Sequence, residues 1–428
     1  MELLAPAGNL EKLQTALTFG ADAVYCGIPD FSLRVRINDF NLTDLKKSRE
    51  ITRKQGRKLY VTANILAHNF HLEKLKKFFT ELKKIKPDAV IIADPGVLKI
   101  LQKVWPTAVI HLSTQANCTN KNSAKFWFEN GVKRIILGRE VSIKEIKEIK
   151  KFVPNLELEY FVHGAMCLSY SGRCYLSKYF NDRSANQGDC TQPCRWNYNV
   201  FLEEKQRPEN FFPIDEDKHG TYLMNSKDLC LIEHLAELKK AGIDSIKIEG
   251  RAKSVYYVGN TIKVYREAID LLKKKITPTE KNKKLKYFVA ELKKSQNRGF
   301  TSGFAFGRDK VEQRTESSHE ECNYEFCGQV LKSENKKNLK IFPADTSSSS
   351  VQAFSRRELT KVLVHNQLFV GDKIEIVRPN QENINFAIKE IFDLKGTLLS
   401  EVHGGQKTMV YLALPEICAE RSLLRRIK

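Results

Sequence analysis

Residues 1–27 read MELLAPAGNLEKLQTALTFGADAVYCG. Two short apolar runs, Glu2–Ala5 and Ala23–Gly27, flank a stretch in which Leu10, Leu13 and Leu17 recur at helical spacing. That pattern reads as strand, amphipathic helix, strand. The unit repeats. Further β-branched runs stand at Lys58–Ile65, Ala89–Ala93, Val109–Ser113, Arg134–Leu137, Glu157–Val162 and Ser245–Glu249. Helical patterns such as Ile143, Ile146 and Ile149 separate most of them, and Val255–Leu272 closes the series. Strands alternating with helices run parallel and connect by right-handed crossovers. Eight units within residues 1–276 therefore predict a (β/α)8 TIM-type barrel. A doubly wound open sheet would ordinarily carry a glycine-rich dinucleotide loop after a strand, and the sequence has none.

One connection breaks the rhythm. Residues 164–225 separate strand seven, ending near His163, from a helix expected to start near Ser226. A structureless loop of that length needs something to order it. Five of the chain's ten cysteines fall in or beside it, spaced Cys167-x6-Cys174-x15-Cys190-x3-Cys194-x35-Cys230, with Cys230 expected to begin that helix. Beyond the barrel, residues 277–324 read as a helical linker with glycine-punctuated turns. Residues 325–415 read as a small all-β barrel domain of short runs such as CGQVL, NLKIF and TMVYLAL, interrupted by a loop at Ser347–Ser350. Its Phe342, Phe369 and Phe386 stand among lysines, as core or as stacking surface. Residues 416–428 read as a basic tail, frayed or helical.

Lys and Arg number 71 against 51 Asp and Glu, a formal charge of +20. That surplus draws a protein toward a polyanion, RNA first among them. Lysine-rich solvated helices, with runs at 273–275 and 281–286, give the same count. No run of ~18 apolar residues occurs, so no membrane span is expected. The N-terminal stretch lacks a basic region followed by an apolar one, so a cytoplasmic location is expected. Thiols in that compartment stay reduced, and five gathered together point to zinc or an iron–sulfur cluster. Only Cys190 and Cys194 approximate a zinc knuckle. The irregular remainder favours a cluster, whose thiolates arrive from separate loops, and either Cys194 or Cys230 would complete the set.

Chemistry in such a barrel sits at the C-terminal ends of its strands. Asn64, Gln115, Arg139, Glu140, His163, Glu249 and Arg251 fall there. With Arg34 and Arg36 after strand two, Arg139 and Arg251 can grip a dicarboxylate bidentately, or pair with Glu140 and Glu249 as structural bridges. His163 can move a proton, or lie buried beneath the cysteines. No HExxH helix or GxSxG elbow is present, so a peptidase would need a Cys167–His163 dyad.

The segment EYFVHGAMCLSYSGRCYLS, residues 159–177, resembles the signature of the collagenase-like peptidase family U32. LLAPAG, GADAVYCG, LRVR, MNSKDLC, SIKIEGRAKS and NRGFTSGF are similar too, and the β-rich C-terminal region is of the kind the family carries. The resemblance is strongest to the branch implicated in converting the wobble uridine of tRNA to 5-hydroxyuridine, with prephenate required. Relatives carry a four-cysteine [4Fe-4S] cluster and hydroxylate a ring without molecular oxygen. The resemblance implies Cys167, Cys174 and Cys190 as ligands, with Cys230 preferred as the fourth and Cys194 its alternative. It implies tRNA and prephenate, or a similar dicarboxylate, as partners, with an accessory protein possible. His163, Arg139 and Glu249 become catalytic candidates, and Arg34, Arg36, Asn64, Gln115 and Arg251 substrate-binding ones. The alternatives are a collagenase-like peptidase and a non-catalytic RNA-binding accessory protein.

Overall fold

The computed structural model describes residues 1–33, 40–167, 169–171, 173–196, 198, 200–204, 207–214, 226–307, 312, 319–331, 359–405 and 408–428. Seven strands come first: β1 (Glu2–Pro6), β2 (Ala23–Cys26), β3 (Lys58–Ala63), β4 (Ala89–Ile92), β5 (Ile110–Leu112), β6 (Arg134–Ile136) and β7 (Glu157–Gly164). In the insertion, β8 (Val200–Glu204) and β9 (Arg207–Ile214) make an antiparallel hairpin, followed by β10 (Asp228–Cys230). The eighth barrel strand is β11 (Ser245–Ile248), parallel to both β7 and β1, and this closes the ring. All eight expected barrel strands are present.

A helix follows each barrel strand: α1 (Leu10–Thr18), α2 (Leu42–Lys54), α3 (Asn69–Ile85), α4 (Pro95–Val104), α5 (Lys121–Glu129) and α6 (Ile143–Phe152). After α7 (Leu176–Asn181) in the insertion come α8 (Leu235–Ala241), α9 (Val255–Leu271) and α10 (Pro278–Lys293). Asn9, Asn41, Asp94, Asn120, Ser142 and Ser254 cap six of the barrel helices, each accepting a backbone N–H with its side chain. Asp94, at a strand end, is thus a cap.

The barrel interior holds buried charge as well as apolar layers. Arg134 donates to Glu2 at 2.5 Å and to Glu159 at 3.2 Å, and Lys247 meets Glu159 at 3.0 Å. Glu159 is wholly buried. Charges this deep persist only when paired.

Cys230 lies on a strand, where a helix was expected. β10 pairs antiparallel with the end of β7, placing Cys230 opposite His163, and parallel with β12 (Phe300–Thr301). The Asp228 carboxylate holds Arg298 at 2.6 Å, and Leu231 N–H donates to the Val162 carbonyl. These ties extend the segment along β7 and delay the helix to Leu235.

The C-terminal domain contains β13 (Tyr324–Val330), β14 (Leu359–Val364), β15 (Leu368–Phe369), β16 (Lys373–Val377), β17 (Ile384–Ala387), β18 (Ile391–Phe392), β19 (Leu398–Leu399), β20 (Glu401–Val402), β21 (Met409–Ala413) and β22 (Leu423–Ile427). Eight of these form one antiparallel sheet in the order β17-β16-β22-β13-β14-β21-β18-β19. The supposed tail therefore supplies an interior strand. Arg425 is fully buried, holding Glu291 of α10 at 2.7 Å and Glu375 of β16 at 2.8 Å, and donating to the Tyr256 hydroxyl of α9 at 3.0 Å. Those acids lie far off in sequence, so local pattern made Arg425 look solvated. The domain packs on the barrel through Leu423 at Gly259, where a side-chain Cβ would lie 2.6 Å from Leu423 Cδ1. Phe386 packs against the domain core, whereas Phe369 is exposed. The expected NLKIF strand, Phe342 and the Ser347–Ser350 loop lie outside the described residues. Among the described residues, no helix is long and apolar enough to cross a membrane.

Candidate functional site

A pocket opens at the C-terminal ends of the barrel strands. Its floor comes from Tyr25, Thr62, Asn64, Ser113, Gln115, Arg139, Phe161, Lys247, Glu249 and Arg251, and its roof from the insertion. The roof is pinned to the barrel at several points. The Glu140 carboxylate accepts from Ser171 N–H and Ser171 Oγ, both at 2.5 Å. Arg173 Nε donates to the Gln115 carbonyl at 3.0 Å, and Leu66 N–H to the Asn186 carbonyl at 3.2 Å. Ser171 sits at φ 44°, a left-handed conformation that serine adopts at a cost. Glu140 therefore anchors the insertion.

Four thiols from that roof, Cys167, Cys174, Cys190 and Cys194, line the pocket, and none is in a disulfide. Leu176 N–H donates to Cys174 Sγ at 3.4 Å, and Ser177 Oγ to Cys190 Sγ at 3.7 Å. Burial pushes the Cys194 thiol up, and its neighbours Cys167, Cys190 and Cys174 push in the same direction. Cys230 lies elsewhere. Its antiparallel pairing with β7 turns it toward α9, with Sγ 3.9 Å from the Tyr265 hydroxyl, and burial raises its thiol to about 12. The structure thus brings Cys194 to the other three in place of the preferred Cys230.

The donor set suits an iron–sulfur cluster. Its sulfurs are soft and in no disulfide, and two of them, on Cys174 and Cys190, accept hydrogen bonds of the kind that tune such centres. Among the described residues, no three His, Cys, Asp or Glu side chains stand at the spacing of a single metal ion.

The floor is polar and largely fixed. Arg251 donates to Ser32 Oγ at 2.6 Å, to Thr62 Oγ1 at 3.3 Å and to the Leu33 carbonyl. Asn64 Nδ2 donates to Ser113 Oγ at 3.0 Å. Lys247 lies 4.3 Å from the Tyr25 ring centre, and burial lowers its ammonium despite the opposing pull of Glu159. Arg139 stacks over Phe161 at 4.0 Å and makes no ion pair among the described residues. Gln115 is 94 % buried (6 % exposed), yet among the described residues its Oε1 has no hydrogen-bond partner, and neither does Ser169 Oγ. Such orphans are costly and mark where a polar ligand would sit.

His163 is not among the residues lining the pocket. Its ring packs between Tyr257, Tyr265 and Phe300, with Nδ1 3.5 Å from the Tyr265 hydroxyl. Burial lowers its imidazole to about 4, so it is neutral near pH 7. Arg34 and Arg36 lie outside the described residues. Sequence reasoning overlooked Tyr25, Thr62, Phe161 and Lys247. Period-two alternation carried the signal, because Glu159 and Phe161 share one face of β7, and Lys247 shares one with Glu249 at the end of β11.

Residues 8–315 match the model of Peptidase family U32, and residues 349–425 that of its C-terminal domain. The tRNA hydroxylation protein P of Escherichia coli is 38% identical over 97% of this chain and 94% of its own. A 23S rRNA 5-hydroxycytidine synthase of the same organism is 33% identical over 72% of this chain and 46% of its own. A collagenase of Porphyromonas gingivalis is 30% identical over 72% and 74%. Barrel, cysteine roof and C-terminal sheet together make this chain a member of Peptidase family U32.

Proposed function

We propose that the chain is an RNA-hydroxylating enzyme that converts the wobble uridine of tRNA to 5-hydroxyuridine, with prephenate or a similar dicarboxylate as co-substrate. Its cofactor would be a [4Fe-4S] cluster on Cys167, Cys174, Cys190 and Cys194. The observation that carries this reading is the meeting of four free thiols with a cationic barrel floor in one pocket. Similarity to the tRNA hydroxylation protein along nearly the whole chain supports the substrate class.

When bound, the cluster supplies one-electron redox chemistry. The rest falls to side chains. Arg139, stacked on Phe161 and without an ion pair among the described residues, offers its guanidinium to a carboxylate. Gln115 Oε1 accepts a hydrogen bond, and the N3–H of uracil is a donor of the right kind. Arg251, tied to Ser32 and Thr62, acts as rigid floor more than as mobile clamp, while Lys247 is held by the buried Glu159 against the Tyr25 ring. His163, neutral and facing Tyr265, supports the strand end beneath the insertion. The same placement weakens the peptidase reading, whose dyad needs His163 at the Cys167 thiol.

Purification without oxygen, followed by iron and sulfide assays, tests the cofactor. About four of each per chain is expected, as a cubane holds. Cys194→Ala should lose iron and Cys230→Ala retain it; the reverse would return Cys230 to the ligand set. Mass spectrometry of tRNA nucleosides, with and without prephenate, tests the reaction. Unmodified tRNA beside a fully loaded cluster would leave the non-catalytic RNA-binding reading in place.

A further inference from the structure

The insertion carries an aromatic array that nothing in the pocket requires. Tyr175 and Tyr179 on and beside α7 are 78% and 82% exposed, and Phe180 and Trp196 are exposed as well. Tyr179, Phe180 and Trp196 pack together with Tyr198. Tyr179 meets Phe180 edge-on at 5.1 Å, and Phe180 lies 6.0 Å from Trp196 and 6.2 Å from Tyr198. The backbone beneath them is fixed. Ser177 Oγ accepts from Thr191 N–H at 3.1 Å, and the Tyr198 hydroxyl donates to the Pro193 carbonyl at 2.7 Å. The array adjoins the pocket, because Leu176, Pro193 and Cys194, its chain neighbours, line it. Residues 164–198 also hold four cations, Arg173, Lys178, Arg183 and Arg195, against two carboxylates, Asp182, which pairs with Lys178, and Asp189, which pairs with Arg183 at 3.3 Å, and so carry a surplus of two positive charges.

Large rings left in water at this density are costly unless a partner covers them. Flat faces interleaved with cations fit unpaired nucleobases, which stack on aromatics while their phosphates meet Lys and Arg. An enzyme that draws one base into a pocket deprives its neighbours of a stacking partner. A platform beside the pocket restores it. We propose that Tyr175, Tyr179, Phe180 and Trp196 form a stacking platform for the unpaired nucleotides flanking the target base, a role that rests on the RNA-hydroxylating reading. A duplex, whose bases already stack on each other, gains nothing from it.

The test uses the full chain, purified without oxygen, with a fluorescent seventeen-nucleotide anticodon stem-loop and a fully paired duplex of equal length as probes. Wild type should prefer the stem-loop. Tyr179→Ala and Trp196→Ala should each weaken stem-loop binding roughly fivefold or more, the scale of one lost base–aromatic stack, and leave duplex binding within about twofold. Their salt dependence should match wild type, since stacking releases no counterions, whereas Lys178→Ala should flatten the slope. Tyr179→Phe should bind as wild type. Tyr179→Leu, which keeps apolar bulk without a π face, should bind like the alanine variant and guards against a folding defect. Wild-type affinity in Tyr179→Ala and Trp196→Ala, in a protein that still modifies tRNA, overturns the platform and spares the parent reading. Equal losses on loop and duplex overturn it too, as does a change of oligomeric state in Tyr179→Ala, which would make a second copy the occupant. Wild type that neither binds the stem-loop nor modifies tRNA removes the parent reading instead.

Discussion

Gln115, which lines the pocket, and His163, which does not, handle polarity in opposite ways. Gln115 keeps a buried acceptor unsatisfied, and its removal should have opposite effects on stability and function. Gln115→Leu should stabilise the free protein by about 1 kcal/mol, the cost of an orphaned acceptor, and lower kcat/KM for tRNA about tenfold if that acceptor meets the base. A melting curve and a steady-state assay on one preparation check both. His163 is instead held neutral by its surroundings. Its folded value of about 4 lies below the ordinary 6.5, so unfolding takes up a proton across that interval. Stability from this residue is complete above pH 6.5 and falls as pH drops toward 4, by at most roughly 3 kcal/mol. His163→Phe should flatten denaturation midpoints over that window. An unchanged profile would mean that water reaches the ring.

The eight barrel strands were legible because parallel strands covered on both faces read as continuous apolar runs. The cysteine roof was legible as composition but not as arrangement. β10 is three residues long, and only its contacts with β7, Arg298 and β12 make it a strand, so nothing local distinguished Cys230 from a helix start. Strand β22 defeated local reading for a related reason, since the partners of Arg425 come from α10 and β16. The pocket floor was half legible: polar residues at strand ends stood out, whereas Lys247 within an apolar run did not. The insertion also makes a prediction of its own. Glu140→Ala removes both bonds to Ser171, so proteases should cut within residues 164–225 several-fold faster while the barrel's melting temperature moves little. Uniform protection would show that Arg173 and Asn186 suffice as anchors.

At the scale of the molecule, the barrel and the β domain are joined through charge. Glu375 sits near 2 in the folded protein, against an ordinary 4.5: burial alone would raise it, but Arg425, Asn383 and Lys294 hold it down. Its stabilising contribution is present above pH 4.5 and disappears as pH falls toward 2, roughly 3 kcal/mol in all. Acid should therefore loosen the domain junction at lower pH than it affects His163. Glu375→Gln should remove the lower step and destabilise the protein near neutrality by a similar amount, as breaking a buried pair does. Calorimetry across the two windows would resolve them.

On the ribosome, β1 is made first among the barrel strands, and its Glu2 waits for Ser245, 243 residues later. At ~5–20 residues per second that wait lasts roughly 12–50 s. The stretch between β7 and β11, which contains the cysteine roof, accounts for about a third of it. Throughout, the nascent half-barrel shows two unpaired strand edges, a template for pairing with another chain. A chain stalled before β11 is thus directed toward edge-to-edge association, and the time spent translating the insertion becomes a period of exposure for the barrel.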